Sequence, residues 1–189
     1  MKYRKLDVPS LNGSETEKNL IKTFSGESRA SNKYILFAEK ARDDGYEYVA
    51  KVFEETAENE RAHSRFVFKN CLNQIKSTPD NLKNSMEGET EEFKKIYKEF
   101  EETARKEGFM EIADFFKELR EVEEHHEERF KALYDRIMSN TMFNSLDKIE
   151  YWQCMNCGYI YEGFEAPDVC PLCKYPKKYF KIQCKDYKL

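Results

Sequence analysis

An internal repeat limits this chain to a small set of helical architectures. The segment ARDDGYEYVAKVF, residues 41–53, matches ARKEGFMEIADFF, residues 104–116, at a constant offset of 63. The same offset relates Tyr34 to Tyr97, Glu60 to Glu123, and His63 to His126. Gly26-Glu27 matches Gly88-Glu89 at an offset of 62, one residue out of phase. Matched glycine breaks, apolar positions and histidines argue against chance similarity, so the chain holds two copies of one structural unit.

Each copy is predicted to form a pair of helices, because apolar residues recur every three or four positions up to about residue 140. Ser14 and Glu17 fit a capping box that opens the first helix. The first predicted helix ends at Asp43-Asp44-Gly45, and the second runs from about Tyr46 to Leu72. Ser77-Thr78-Pro79-Asp80 then begins a longer connection. The third helix runs from near Glu87 to Gly108, and the fourth continues to about Ser139. Short connections within the pairs and a longer one between them predict an all-α four-helix bundle with a crossover connection.

Each predicted helix places a carboxylate on its apolar stripe. In the fourth helix, for example, the stripe contains Phe116, Glu123, His126 and Phe130. Ionised carboxylates that face an apolar interior are very costly without compensating cations. One Glu from each of two helices, with Glu-x-x-His from each of the other two, is the ligand set of di-iron and di-manganese carboxylate bundles. The predicted ligands are Glu27, Glu60, His63, Glu89, Glu123 and His126. The alternative is a buried carboxylate network without metal.

Most other acidic residues fall off these stripes. Those expected on solvated faces include Glu54, Glu55, Glu101, Glu102, Glu127 and Glu128. His125 lies beside the stripe and is interpreted as a surface residue or as one that supports a ligand. Glu92, three residues after Glu89, has the spacing to face inward, although a glutamate at such a position is more often exposed. Five inward carboxylates would nearly balance the four charges of two ferrous ions.

Composition excludes several classes of function. The net charge is −4 with 36% charged residues of both signs, so no basic field favours nucleic acid or an anionic membrane. No apolar run approaches the about 20 residues of a membrane-spanning helix. The N-terminal MKYRKLDVPS has charges but no apolar segment behind it, unlike a secretory signal. We therefore expect the cytoplasm or another reducing compartment, where paired C-x-x-C motifs bind metal rather than form disulfides.

A second, small domain is predicted for residues 146–189, after a helical domain at 1–145, because the composition changes there. It contains the only Trp and four of the six cysteines, arranged as Cys154-x-x-Cys157 and Cys170-x-x-Cys173. Four thiolates hold either zinc or a single iron in a tetrahedral site. Gly158-Tyr159 and Pro171, with several nearby aromatic residues, favour iron over a zinc ribbon. A segment this short needs its metal to fold.

In their order, these motifs resemble those of the rubrerythrin family over nearly the whole chain. They are GES at 26–28, ENERAH ending at His63, GETEE at 88–92, EEHHEERF around Glu123 and His126, and the cysteine pairs C-x-x-C-G-Y and C-P-x-C. The resemblance implies a ferritin-like di-iron domain followed by a rubredoxin-like domain that holds one iron on its four cysteines. The stretch before Ser14 and the two extra cysteines depart from the family pattern. Cys71 and Cys184 are expected to be buried or incidental thiols.

The resemblance also implies roles for single residues. One iron would be bound by Glu27, Glu60 and His63 and the other by Glu89, Glu123 and His126, with Glu60 and Glu123 bridging. Glu92 matches a further family carboxylate, which implies that one iron exchanges Glu92 for His63 as the cluster is reduced. Tyr34 and Tyr97 match tyrosines near the irons, where they would donate hydrogen bonds to ligands or to peroxide. Glu92, Tyr34 and Tyr97 are therefore the candidate catalytic residues.

The function implied is that of a non-haem di-iron peroxidase, an oxidoreductase that reduces hydrogen peroxide to water and protects against oxidative stress. Electrons would enter singly through the four-cysteine iron, from a rubredoxin or an NAD(P)H-dependent reductase, in a head-to-tail homodimer. Two alternatives remain open. A ferroxidase that oxidises Fe(II) needs no redox tail, and a zinc-knuckle binding module on a helical scaffold would be colourless rather than red.

Overall fold

The computed structural model describes residues 9–184 of the chain, so the prediction about a secretory signal falls largely outside the described residues. The chain divides into two compact units, one ending at Lys76 and the other beginning at Ser77. The predicted helices and the small C-terminal strand domain are both confirmed. Within residues 9–184, every helix is too short or too polar to cross a membrane.

The first unit is a helical pair. Helix α1 spans Glu15–Asp43 and α2 spans Glu47–Phe66, followed by a π-helical turn at Val67–Cys71. The cap of the predicted capping box is present, since the Ser14 hydroxyl accepts the Glu17 N–H at 3.0 Å; the Glu17 carboxylate reaches one residue further back and accepts the Gly13 N–H at 2.7 Å. Gly45 in the connection has φ +84°, a left-handed conformation that glycine adopts without strain.

The second unit begins with another helical pair. Its first helix is continuous and consists of α3 (Thr78–Glu91), a π turn (Glu92–Ile96) and α4 (Tyr97–Glu107). After Gly108, helix α5 spans Met110–Met138. The prediction that the third helix starts near Glu87 is wrong, because Ser77 caps it and its hydroxyl accepts the Asp80 N–H at 3.3 Å. Pro79 in the first turn lacks only an N–H that would have no helical partner, so Ser-Thr-Pro-Asp starts the helix rather than interrupting it.

The π turn at Glu92–Ile96, called the central π turn below, accounts for the change of phase in the repeat. A π turn accommodates one residue more than an α-helical turn. Glu89 and Tyr97 are therefore eight residues apart, whereas their counterparts Glu27 and Tyr34 are seven apart on the uninterrupted helix α1. The extra residue is absorbed locally, and both copies keep the glutamate and the tyrosine in matched positions.

Each helical pair is held by the same aromatic cluster. In the first pair the Phe53 ring lies 6.0 Å from Tyr34 and 5.6 Å from Phe37, measured between ring centroids. In the second pair the equivalent distances are 6.2 Å for Phe116 with Tyr97 and 5.5 Å for Phe116 with Phe100. The sequence repeat is thus reproduced in three dimensions.

The small domain is an antiparallel three-stranded sheet in the order β2-β1-β3, built from β1 (Glu150–Cys154), β2 (Ile160–Gly163) and β3 (Phe180–Ile182). Its buried core consists of Trp152, Cys154, Ala166, Cys170 and Phe180. The Trp152 indole donates to the Gly163 carbonyl at 3.0 Å, which satisfies its one polar group. Residues 143–145 also pair with residues 164–166.

Candidate metal centres

The first helical pair brings Glu27 of α1 together with Glu60 and His63 of α2. The Nδ1 atom of His63 lies 3.0 Å from the Glu60 carboxylate and 3.4 Å from that of Glu27. A hydrogen bond to Glu60 raises the pKa of Glu27, with burial and charge repulsion adding to it, and the same bond lowers the pKa of Glu60. The two carboxylates therefore share a proton when no cation is bound, because like charges so close are unfavourable.

The second helical pair brings together the repeat equivalents of these residues, Glu89, Glu123 and His126. Nδ1 of His126 lies 2.7 Å from the Glu123 carboxylate and 3.9 Å from that of Glu89. The Glu123 side chain is only 11% exposed. Burial raises the pKa of Glu89, and a hydrogen bond with Glu123 raises it further. This cluster, like the first, places two acidic groups where one of them resists ionisation unless a cation is present.

Glu92 and Tyr97 stand at the two ends of the central π turn. Burial raises the pKa of the Tyr97 phenol, and the neighbouring Glu92 carboxylate raises it further. Glu92 is half-buried, and its charge contributes to the raised pKa of Glu89. Tyr34 occupies the matching site in α1, where its ring stacks on Phe53. The residue of α1 that matches Glu92 is Ala30, so α1 offers Tyr34 no equivalent carboxylate.

His125 and Glu101 lie outside the two clusters, and the sequence predicts exposed positions for them. His125 is exposed as expected and lies 3.4 Å from Glu128. The expectation that Glu101 lies on a solvated face is wrong, since its side chain is only 15% exposed and pairs with both Arg105 and Arg120 at 3.0 Å. The repeat held a signal for this. Glu101 and Arg120 match Ala38 and Ala57 of the first copy, an exchange of two small residues for an ion pair.

The four cysteines of the sheet domain converge at one point. Sγ of Cys154 lies 3.7 Å from Sγ of Cys173, and Sγ of Cys157 lies 3.7 Å from Sγ of Cys170. A disulfide would need about 2.05 Å. Four sulfurs around a metal at about 2.3 Å occupy the corners of a tetrahedron with edges of about 3.75 Å, which is the spacing observed. The cage therefore fits a tetrahedral metal ion.

The protonation of the cage also favours a cation. The Tyr159 backbone N–H lowers the pKa of the Cys157 thiol, but burial and hydrogen bonds with the other three thiols raise it overall to about 12. Burial raises the pKa of Cys173, but the Tyr175 N–H and the Asn156 side chain outweigh it and lower the pKa to about 6. Without a metal the four thiols cannot all ionise near neutral pH, whereas a bound ion would favour the thiolate at every one.

Helical pairs that carry carboxylate–imidazole clusters, followed by a tetrathiolate sheet domain, define a class of non-haem iron proteins. In these a di-iron site in a ferritin-like helical domain is combined with a rubredoxin-like Cys₄ centre.

Comparisons with known proteins identify the family. The Rubrerythrin family model matches residues 18–134, and the model of the rubrerythrin rubredoxin-like domain matches residues 152–181. Rubrerythrin of Porphyromonas gingivalis is 40% identical over 94% of this chain and 94% of that protein. Rubrerythrin-1 of Clostridium acetobutylicum is 38% identical over 95% of this chain and 100% of that protein. The chain belongs to the rubrerythrin family, and its cofactors are a di-iron site and a mononuclear Cys₄ site.

Proposed function

We propose that this protein reduces hydrogen peroxide to water with electrons that enter through the Cys₄ centre. Family membership already makes it an oxidoreductase. The observation that carries the finer proposal is the presence, on one chain, of two Glu₂His clusters and a tetrathiolate cage with tetrahedral sulfur spacing. A protein that only oxidised and stored iron would need the clusters but not the cage.

We assign the di-iron ligands to the two clusters, Glu27, Glu60 and His63 together with Glu89, Glu123 and His126, and to Glu92 as an exchangeable ligand. Both imidazoles turn Nδ1 toward the carboxylates, so Nδ1 is the donor atom each would offer a metal. The bound iron pair supplies two electrons and Lewis acidity for cleavage of the O–O bond. Five carboxylates against two ferrous ions keep the site close to neutral.

Side chains of this protein would donate the protons that the reaction consumes. The reduction of one peroxide to two waters consumes two electrons and two protons. Tyr97 keeps its phenolic proton at neutral pH, because burial and the Glu92 carboxylate raise its pKa. Its Oη is therefore a neutral donor held against Glu92, suited to pass a proton toward a developing oxyanion. Tyr34 is the second candidate donor.

Electrons would enter at the exposed edge of the cage. Cys154 and Cys170 are buried, Cys173 is partly buried and Cys157 is exposed, so one side of the metal site faces solvent. The adjacent Met155 and Leu172 are also exposed and offer apolar surface to a donor. We propose a rubredoxin or an NAD(P)H-dependent reductase as the donor, a head-to-tail homodimer as the assembly, and the cytoplasm as the location. The division of the chain near residue 145 also remains a prediction.

The test is an anaerobic peroxide assay on the iron-loaded protein with an NADH-linked rubredoxin donor. One NADH should be consumed for each peroxide. Cys170→Ser should abolish donor-supported turnover while the di-iron site remains loaded, and Glu60→Ala should abolish turnover while the red colour of the Cys₄ iron remains. Cys184→Ser, which lies outside the cage, is the matched control. If the rate of peroxide consumption does not depend on the donor and added Fe(II) is oxidised instead, the protein is a ferroxidase and the proposal is wrong.

A further inference from the structure

The central π turn leaves one backbone carbonyl without its usual helical partner. In an α-helix the Tyr97 N–H would donate to the Phe93 carbonyl four residues earlier. Here it donates to the Glu92 carbonyl, five residues earlier. A carbonyl deprived of its partner inside a packed helical pair costs free energy unless another donor reaches it. The π turn therefore requires a compensating group from outside its own helix.

Arg120 of α5 supplies that group. Its Nε donates to the Phe93 carbonyl at 3.0 Å, and its Nη1 donates to the Glu101 carboxylate at 3.0 Å. Glu101 is held in turn by two hydrogen bonds from Arg105, at 3.1 and 3.0 Å, to its other oxygen. The arginine pairs lower the pKa of Glu101, so the carboxylate stays ionised. The guanidinium is thus fixed at one end by an anchored charge and bonded to the π turn at the other.

The first copy of the repeat forms its helical pair without the Arg120–Glu101 ion pair. At the positions of Glu101 and Arg120 it has Ala38 and Ala57, each only 1% exposed. Helix α1 has no π turn among its residues, and the cross-helix bond at this level runs from the Ser31 hydroxyl to the Ala57 carbonyl at 2.8 Å. Guanidinium, carboxylate and central π turn thus occur together in the second copy, whereas the equivalent positions of the first copy carry two alanines and a regular stretch of α1.

We propose that Arg120, anchored by Glu101, is a positioning residue that locks the central π turn and so fixes Glu92 and Tyr97 for the reaction. Glu92 opens the turn and Tyr97 follows it directly, so any relaxation of the turn toward regular helix moves one relative to the other. Arg120 also stands one helical turn before Glu123 on α5, which ties the turn to the helix that carries the second cluster. Only the catalytic consequence rests on the proposed function; the lock itself does not.

The direct test is hydrogen–deuterium exchange of the iron-loaded, full-length protein, read at the amides of residues 92–97. Arg120→Ala should speed exchange of the Tyr97 amide by about tenfold, the effect of losing one buried hydrogen bond. Arg42→Ala is the matched control, because it removes the same charge at the position equivalent to Arg105 in the first copy, where Arg42 pairs with Glu47 and Glu54. Its exchange at these amides should match wild type. Arg120→Lys, which can still donate to the carbonyl, should fall between.

The second readout is turnover. Arg120→Ala should lower kcat several-fold with KM unchanged and shift the visible spectrum of the ferric di-iron site, whereas Arg42→Ala should do neither. Unchanged Tyr97 exchange in Arg120→Ala overturns the lock, and faster exchange with wild-type kcat and spectrum overturns its catalytic role. If the wild type itself lacks peroxide turnover, the proposed function fails while the exchange result still decides the lock. If Arg120→Ala does not fold, Glu101→Gln can replace it, because it removes the charge that anchors Arg120. Unchanged exchange of the Tyr97 amide in Glu101→Gln would then overturn the lock.

Discussion

The sheet domain should unfold when its metal is lost, and the chain carries its own reporter for the event. Trp152 is the only tryptophan and its side chain is fully buried. Two of the five residues in the buried core of this domain, Cys154 and Cys170, are also members of the cage. Core and metal site are therefore one structure. We predict that Cys170→Ser exposes Trp152 to water while the helices remain folded.

The loss of folding free energy is expected to be large, because few other contacts stabilise the sheet domain. Among residues 146–184, Trp152 and Phe180 are the only large side chains that are fully buried. Each buries at most about 250 Å², worth about 6 kcal/mol at about 25 cal/mol per Å². A structural metal in a cysteine-rich module contributes about 10–16 kcal/mol, as much as both aromatic residues together. Losing about 10 kcal/mol shifts the folding equilibrium by about seven powers of ten, far more than a small domain can absorb.

The assay is tryptophan emission, with far-ultraviolet circular dichroism recorded on the same samples. Cys170→Ser should move the emission to that of a solvent-exposed indole and leave the helical signal almost unchanged. Cys184→Ser should keep the buried emission, because this thiol lies outside the cage. A metal-free Cys170→Ser protein that retains buried emission would refute the reasoning, since the aromatic core would then be sufficient by itself.

Three further outcomes are expected. Tyr97→Phe should lower kcat about tenfold, the worth of one hydrogen bond to a charged group, and more than Tyr34→Phe does, because the Glu92 carboxylate adjoins Tyr97; equal losses in the peroxide assay would contradict the asymmetry of the two copies. The pKa of Glu101 is lowered, chiefly by Arg105, so its contribution to stability is present above its ordinary value of 4.5 and is lost as pH falls through the folded value. Glu101→Gln should therefore lower the Tm near neutral pH and flatten the acid-side fall in thermal stability, and an unaltered acid limb would refute this. Ser77→Ala should cost about 1 kcal/mol of unfolding free energy through loss of the helix cap, whereas an unchanged denaturation midpoint would show that the cap contributes nothing.

The sequence allowed the helices and the grouping of the site residues to be predicted, because both depend on periodicity. Glu60 and His63 share one face by spacing alone, and the repeat then placed Glu123 and His126 equivalently. The structure brings Glu27 to the first two, as the stripes had indicated. The role of these groups as iron ligands stays a prediction from the family.

What the sequence did not reveal depended on contacts between elements. Glu101 lies off the apolar stripe, and only the arrival of Arg120 from another helix covers it. The sequence pattern hides the start of the third helix, because Pro79 resembles a helix break, whereas a proline in the first helical turn is compatible with the cap at Ser77. The change of phase in the repeat was visible, but a single extra residue can form a loop, a kink or a π turn, and packing decides among these.

The central π turn also constrains how this chain can change in length. Deleting one of residues 93–96 would leave Glu89 and Tyr97 seven residues apart on a regular helix, which is the spacing of Glu27 and Tyr34 on α1. An added residue that no second π turn absorbs would instead rotate Glu89 by about 100° and shift it by about 1.5 Å relative to Tyr97. Between Gly88 and Gly108 the helix should therefore tolerate the loss of one residue at the turn far better than the gain of one.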